Sequence, residues 1–420
     1  MTYPTVRGRP KTSGITLSHP HGNPNSYHAA RAFAERNLLQ GFEQGIANRG
    51  SFLRKLAKLT GHSREMSQRN LEEVPDNLRR QHVIWEAASH IGARLRAAGP
   101  TAEVSWYDVL FCGHDWQVSK ELREGIRAVY AYEDAARNTF RAAKEMGAVT
   151  IYELPAGYYM GAAQELKYIE EEKPDVPLDI KIEPQWKVRR KNLELASADV
   201  IVVPCAWAAG SLRLSDMPKE KPLITIPYGT PADEICARST KPDGPFTVLF
   251  AGQIGVRKGV PYLLEAWSRI GLRNARLLLA GNMRLGESFL KPYAGMFEHL
   301  GPMPHTQLLD LMEEADLLVF PSLAEGFGLV IGEAMAACVP VLTTTNTGGP
   351  ELITDGQEGW CIPPHDVQIL GERIEWACLH RDELFEMGQL ARRKAEQWTW
   401  SHYRAALIEK VTPYLMSVPD

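Results

Sequence analysis

Short, uninterrupted apolar runs separated by helix-length stretches recur along the 420 residues, and this alternation restricts the fold more than any other feature. Residues 317–320, Leu-Leu-Val-Phe, contain no polar alternate. A strand of that kind needs cover on both faces, as in a parallel sheet flanked by helices. Residues 15–18, 128–132, 148–152, 200–203 and 223–226 also read as strands, as do 247–251, 276–280 and 339–342, though a Thr, Ser, Arg or Pro enters several of them. Residues 108–112 read as a further strand ending in Gly113-His114-Asp115. Helices are expected over 25–39, capped by Asn25 or Ser26, and over 260–270, 330–338 and 401–416. The pattern is that of an α/β protein.

Two proline- and glycine-rich breaks, Pro227-Tyr-Gly-Thr-Pro231 and Lys241-Pro-Asp-Gly-Pro245, divide the pattern. They predict a first domain over 1–228, a linker over 229–245 and a second domain over 246–400, two Rossmann-like units facing across a cleft. Residues 165–191, acidic then basic and interrupted by Pro174, Pro177 and Pro184, read as a cleft-side excursion of the first domain.

Composition places the chain among soluble globular proteins, because a 44% hydrophobic content is not gathered into any apolar run of the ~18 residues that span a bilayer. Arg7, Arg9 and Lys11 precede no apolar core of the secretory type. Six scattered cysteines without metal-like pairing suit reduced thiols, so a cytoplasmic location is expected. The net charge of −4 hides a basic first quarter: residues 1–110 hold 15 Lys and Arg against 9 Asp and Glu. Arg49, Arg54, Lys55 and Lys58, with Arg79 and Arg80, carry much of the excess. Such a segment either attaches peripherally to anionic headgroups at the inner membrane face or forms a solvated helix face. No aromatic-interleaved basic groove points to nucleic acid.

The chemistry concentrates after the 317–320 run. Glu325 and Glu333 stand eight positions apart around a turn with Gly326 and Gly328 that leads into a helix. Loops at the carboxyl ends of parallel strands hold ligands in open sheets, and a helix start favours an anion. Carboxylates there can accept hydrogen bonds from sugar hydroxyls. This stretch resembles the signature of retaining GT-B glycosyltransferases, most like glycosyltransferase family 4. The resemblance is specific over about residues 245–400 and looser over 100–230.

The resemblance implies a nucleotide diphosphate sugar as donor substrate, no cofactor and no metal. It places Glu325 on the sugar hydroxyls, Glu333 on the ribose, and the N–H groups of Phe327, Gly328 and Leu329 on the donor. Arg257 and Lys258, in Gly252-Gln253-Ile-Gly255-Val-Arg257-Lys258-Gly259, would stabilise the departing diphosphate. Gln253 stands where relatives often have arginine, and Arg257 is the expected substitute. Asn282 lies near the nucleotide and Met303 in the segment that meets the base. Gly22 and Asn23 are expected on the donor, and His114 in the catalytic site or as a satisfied loop histidine. His21, Asp115, Tyr132, Glu133, Tyr152 and Glu153 are cleft-facing candidates, while Glu351 reads as a structural cap. The helix at 401–420 would return onto the first domain. The chain contains no Asp-x-Asp element, in keeping with metal-independent transfer.

The function expected is transfer of a sugar to a glycan, glycolipid or small hydroxyl acceptor, in polysaccharide or glycolipid assembly. Two rivals share the scaffold: a sugar-nucleotide epimerase, which needs no acceptor, and an inactive nucleotide-sugar-binding subunit.

Overall fold

The computed structural model describes residues 14–45, 74–94, 104–176, 183–218 and 220–416. The basic segment at 49–58 lies outside them, as do Arg7, Arg9 and Lys11. Two all-parallel sheets organise the chain. The first runs in the order β3-β2-β1-β4-β5-β6-β7, with β1 Ile15–His19, β2 Leu39–Gln44, β3 Arg79–Gln81, β4 Ala128–Tyr132, β5 Val149–Glu153, β6 Val200–Val203 and β7 Leu223–Thr225. The second runs β10-β9-β8-β11-β12-β13, with β8 Phe246–Ala251, β9 Ala275–Ala280, β10 Glu298–Gly301, β11 Leu317–Phe320, β12 Val341–Thr344 and β13 Gly359–Ile362.

Both sheets reverse their strand order beside their first strand. In the first, β1 lies between β2 and β4; in the second, β8 lies between β9 and β11. Neighbouring loops diverge at such a point and leave a crevice beyond the carboxyl ends of the strands. The central strands are buried on both faces, as their apolar sequences require: every residue of β4, β6, β8 and β11 is buried.

Helix Trp400–Met416 starts beside the second domain and packs on helix Pro24–Glu35 of the first. His28 stacks on Trp400 there, with ring centroids 4.1 Å apart. The two crossings between the sheets meet: Thr230 N–H donates to Trp398 O at 2.9 Å, and Thr230 Oγ1 to Ala395 O at 2.6 Å. Among the described residues no helix is long and apolar enough to cross a membrane.

Several expectations are corrected. Residues 108–112 are not a strand but part of helix Trp106–Glu121. Ser105 Oγ accepts from Asp108 N–H at 3.2 Å while the Asp108 carboxylate accepts from Ser105 N–H at 2.8 Å, a reciprocal cap that fixes a helix start. A buried helix and a buried strand give the same short apolar run, and the cap decides between them. The helix expected over 25–39 spans Pro24–Glu35, with Asn23 as its cap, and Leu39 already belongs to β2. The excursion at 165–191 consists, where described, of the end of helix Tyr159–Glu172 and the start of helix Gln185–Ser197. Strands β2, β3, β10 and β13 were not anticipated. Polar residues interrupt the first three, and β13 is only four residues long.

Candidate functional site

The loops after β8 and β11 flank the switch point of the second sheet, and backbone contact locks them together. Gly259, at φ 70°, approaches Pro321 so closely that a Cβ would fall 1.9 Å from the proline carbonyl oxygen. Leu323 N–H donates to Arg257 O at 2.9 Å, and Ser322 Oγ to the same oxygen at 3.3 Å. This lacing brings together side chains 67 positions apart: Lys258 Nζ is ion-paired and hydrogen-bonded to Glu325. Arg257 turns back on the same turn, donating to Ala324 O at 2.7 Å and lying 3.6 Å from the Glu325 carboxylate. Lys258 also sits 4.8 Å from the centre of the Phe320 ring.

Burial dominates the electrostatics of this pair. It pushes the Glu325 carboxyl up, but Lys258 and then Arg257 outweigh it and hold the group below its ordinary value. Burial lowers the Lys258 ammonium despite the opposing pull of Glu325. Glu325 is therefore a carboxylate at neutral pH, and its charge favours the ammonium form of Lys258 against the effect of burial.

Lys258 and Glu325 line a pocket of about 340 Å³ between the domains, and Arg257 lies outside its lining. Gly252, Gln253, Gly328 and Leu329 contribute from the second domain, and Asn25, Pro155 and Tyr228 from the first. Gly328, at φ 85°, precedes helix Leu329–Ala336, whose start carries no side-chain cap. An uncapped helix start directs backbone N–H groups outward and favours an anion. Phe327 instead turns its ring inward, edge-on to Tyr228 at 5.3 Å, and its carbonyl accepts from Gly348 N–H at 2.7 Å.

Glu333 lies on the same helix, and its Oε1 is 2.9 Å from His305 Nε2. That hydrogen bond is the largest influence raising the His305 imidazole above its usual value. Gln253 and Asn282 are exposed, Gly255 is buried, and Met303 is half-buried against the core. The backbone ties the loop after β8 to that after β9, since Ile254 N–H donates to Asn282 O at 2.9 Å.

In the first domain the picture differs from the expectation. His114 is fully buried in mid-helix, not at a strand end, with Nε2 3.0 Å from Ser18 Oγ. Burial drives its imidazole well below the ordinary value, so it is neutral. The Asn23 side chain is engaged as a helix cap, Oδ1 accepting from Ser26 N–H at 2.8 Å. Gly22, at φ 67°, packs where a Cβ would meet the Tyr27 ring, and its N–H donates to His19 Nδ1 at 2.9 Å. Tyr132, Tyr152 and Glu153 are interior and do not open onto the cleft. Glu153 accepts from Tyr130 at 2.6 Å and from Tyr228 at 2.5 Å, and burial raises its carboxyl. Glu133 is ion-paired with Lys191 at 3.0 Å. Asp115 is 2.7 Å from Arg190 and accepts from Thr139 N–H at 2.8 Å, which braces helices. His21 lies 3.4 Å from Glu86. Glu351 accepts from Ala206 N–H at 2.5 Å and so caps a helix of the opposite domain.

Pocket residues Asn25, Pro155 and Tyr228 carry no signal in sequence that links them to Lys258. Tyr228 alone is conspicuous, as an aromatic residue inside a proline-flanked break.

Comparisons with known proteins agree with this geometry. Residues 231–394 match the family model for glycosyl transferases group 1. The chain is 28% identical over 230 residues to the putative colanic acid biosynthesis glycosyltransferase WcaL of Salmonella typhimurium, covering 51% of this chain and 55% of that protein. It is 26% identical over 383 residues to the D-inositol 3-phosphate glycosyltransferase of Nocardia farcinica, covering 84% and 82%. The chain thus spans about half the length of the WcaL proteins it matches. Among solved structures it is similar to sucrose-phosphate synthase from Thermosynechococcus elongatus, with a TM-score of 0.65 at 16% identity over 97% of this chain and 100% of that one. It is also similar to Anabaena Alr3699/HepE in complex with UDP and glucose, with a TM-score of 0.63 at 16% identity over 96% and 100%. The fold is therefore that of the GT-B glycosyltransferases, and its second half matches a glycosyl transferases group 1 domain.

Proposed function

We propose that the protein is a retaining, metal-independent glycosyltransferase that moves a sugar from a nucleotide diphosphate donor to a hydroxyl acceptor. The observation that carries this reading is the meeting of Lys258 and Glu325 on the wall of an interdomain pocket at the switch point of the second sheet, with Arg257 beside Glu325. The donor diphosphate occupies the space between Lys258 and the uncapped start of helix Leu329–Ala336. Glu325 accepts hydrogen bonds from the sugar, and Glu333 from the ribose. As the bond from C1 to the diphosphate oxygen breaks, negative charge grows on that oxygen, beside two cations and a helix start. The acceptor oxygen bonds to C1 from the same face, and its proton passes to the departing diphosphate.

Relatives named for colanic acid and inositol phosphate chemistry support a glycan, glycolipid or small polyol as acceptor. Neighbours solved with UDP support a nucleoside diphosphate donor. Assembly of polysaccharide or glycolipid by a cytoplasmic protein, peripheral at the inner membrane face, is the setting this reading favours.

The test is a thermal-shift screen of UDP, GDP and ADP sugars, followed by product NMR in the presence of a chelator. One donor should raise the melting temperature, and the product should keep the donor's anomeric configuration. Glu333→Ala should raise the donor KM about tenfold with little change in kcat, the sign of uniform binding lost. An inverted product, or no shift with any nucleotide sugar, contradicts the proposal.

A further inference from the structure

The turn that carries Glu325 is held from the opposite domain as well as its own. Helix Tyr159–Glu172 belongs to the first domain, packing on helix Ala206–Ser211. Its Glu165 reaches across the gap with both carboxylate oxygens. Oε1 accepts from Asn346 Nδ2 at 3.0 Å, and Oε2 is 2.6 Å from His365 Nε2.

Asn346 passes this contact to the turn. It is 8% exposed, and the same Nδ2 donates to Leu323 O at 2.8 Å, while its own carbonyl accepts from Glu325 N–H at 3.1 Å. Asn346 therefore grips the backbone on both sides of Ala324, with its side-chain amide at Leu323 O and its backbone carbonyl at Glu325 N–H. His365 is in turn fixed by Tyr262, with Nδ1 2.8 Å from the phenol oxygen. A charged acceptor makes such bonds stronger than neutral ones.

A second interdomain contact, from the C-terminal cap of the same helix, offers a contrast. Lys173 is ion-paired with Glu265 but makes no hydrogen bond to the turn. Both contacts bridge the domains, and only that of Glu165 runs on to Glu325.

We propose that Glu165 is a positioning residue: by engaging Asn346 when the domains close, it sets the placement of Glu325. The catalytic consequence rests on the transferase reading above. The structural link does not. In an open arrangement Asn346 loses its bond to Glu165, and the turn loses its register against the pocket. Domain closure then does more than exclude water, because it completes the site.

Hydrogen–deuterium exchange on the full chain tests the link without reference to activity. Glu165→Ala should speed amide exchange over residues 323–329 about tenfold, because local protection reports local opening. Glu165→Gln keeps an oxygen for Asn346 and should stay within about twofold of the parent. Lys173→Ala should leave that segment unchanged. Unchanged protection in Glu165→Ala overturns the proposal, and so does equal loss in Lys173→Ala, which would mean general loosening. Where the parent transfers sugar, Glu165→Ala should lower kcat about tenfold with donor KM within about twofold, and an unchanged kcat again overturns it. If the parent transfers no sugar, the transferase reading fails while the exchange result still decides the link.

Discussion

Lys258 and Glu325 form an ion pair almost closed to solvent, with side chains only 12% and 15% exposed. A buried pair contributes little net stability while intact, yet removing one partner strands the other without compensation. Glu325→Ala should therefore lower stability by about 3 kcal/mol, read from denaturant melts. Lys258→Ala should act in the same direction but less, because Arg257 stays 3.6 Å from the carboxylate. A nucleoside diphosphate should recover part of the loss in Glu325→Ala, where Lys258 remains to bind it, and little in Lys258→Ala. Equal recovery in both variants would separate Lys258 from the diphosphate.

Gly326 meets the first domain with no room to spare. A Cβ there would lie 1.9 Å from Pro155 O and 2.6 Å from Ala156 Cα, both rigid backbone atoms. Cys205 Sγ also donates to Gly326 O at 2.8 Å. Gly326→Ala should wedge the domains apart without disturbing either core. The expected result is a larger radius in small-angle scattering, an unchanged circular dichroism spectrum, and transfer reduced about a hundredfold. An unchanged radius would show that the interface yields at this point.

Stability should fall on the acid side through His28. Burial, then the charges of Arg404 and Arg31, lower its imidazole from 6.5 to about 3. Between those values the unfolded chain binds a proton that the folded protein refuses, so stability rises with pH across that window. His28→Phe keeps an aromatic ring against Trp400 and removes the titration. Its melting temperature should drop less between about pH 7 and pH 5 than that of the parent. Parallel curves would exclude His28 as the source.

Much of the architecture could be read because burial on both faces writes a plain pattern. Residues 128–132, 200–203 and 317–320 are strands with the expected bounds. The failures share a cause. Residues 109–112 are apolar because a helix is packed there, and the Ser105–Asp108 cap is what distinguishes it from a strand. Strand β2 carries a buried Glu43, whose charge is tolerated because Arg80 and His82 bond it at 2.8 Å. Neither partner is near it in sequence. In the site, Lys258 and Glu325 were each legible as loop residues beyond a strand, and they meet because those strands, β8 and β11, are neighbours at the switch point. The contacts of Glu325 with Asn346, and through it Glu165, could not follow, because they depend on how two separately encoded sheets meet.

The paired crossings at Thr230 and Trp398 have a mechanical consequence. Gly229 lies against Trp400, where a Cβ would fall 2.4 Å from the backbone nitrogen, so the two strands of the connection are clasped side by side. Two bodies joined at adjacent pins cannot slide past one another, and they can only swing. The jaw formed by the two sheets therefore opens widest far from Thr230 and least beside it. Whatever enters must come from the side opposite that hinge.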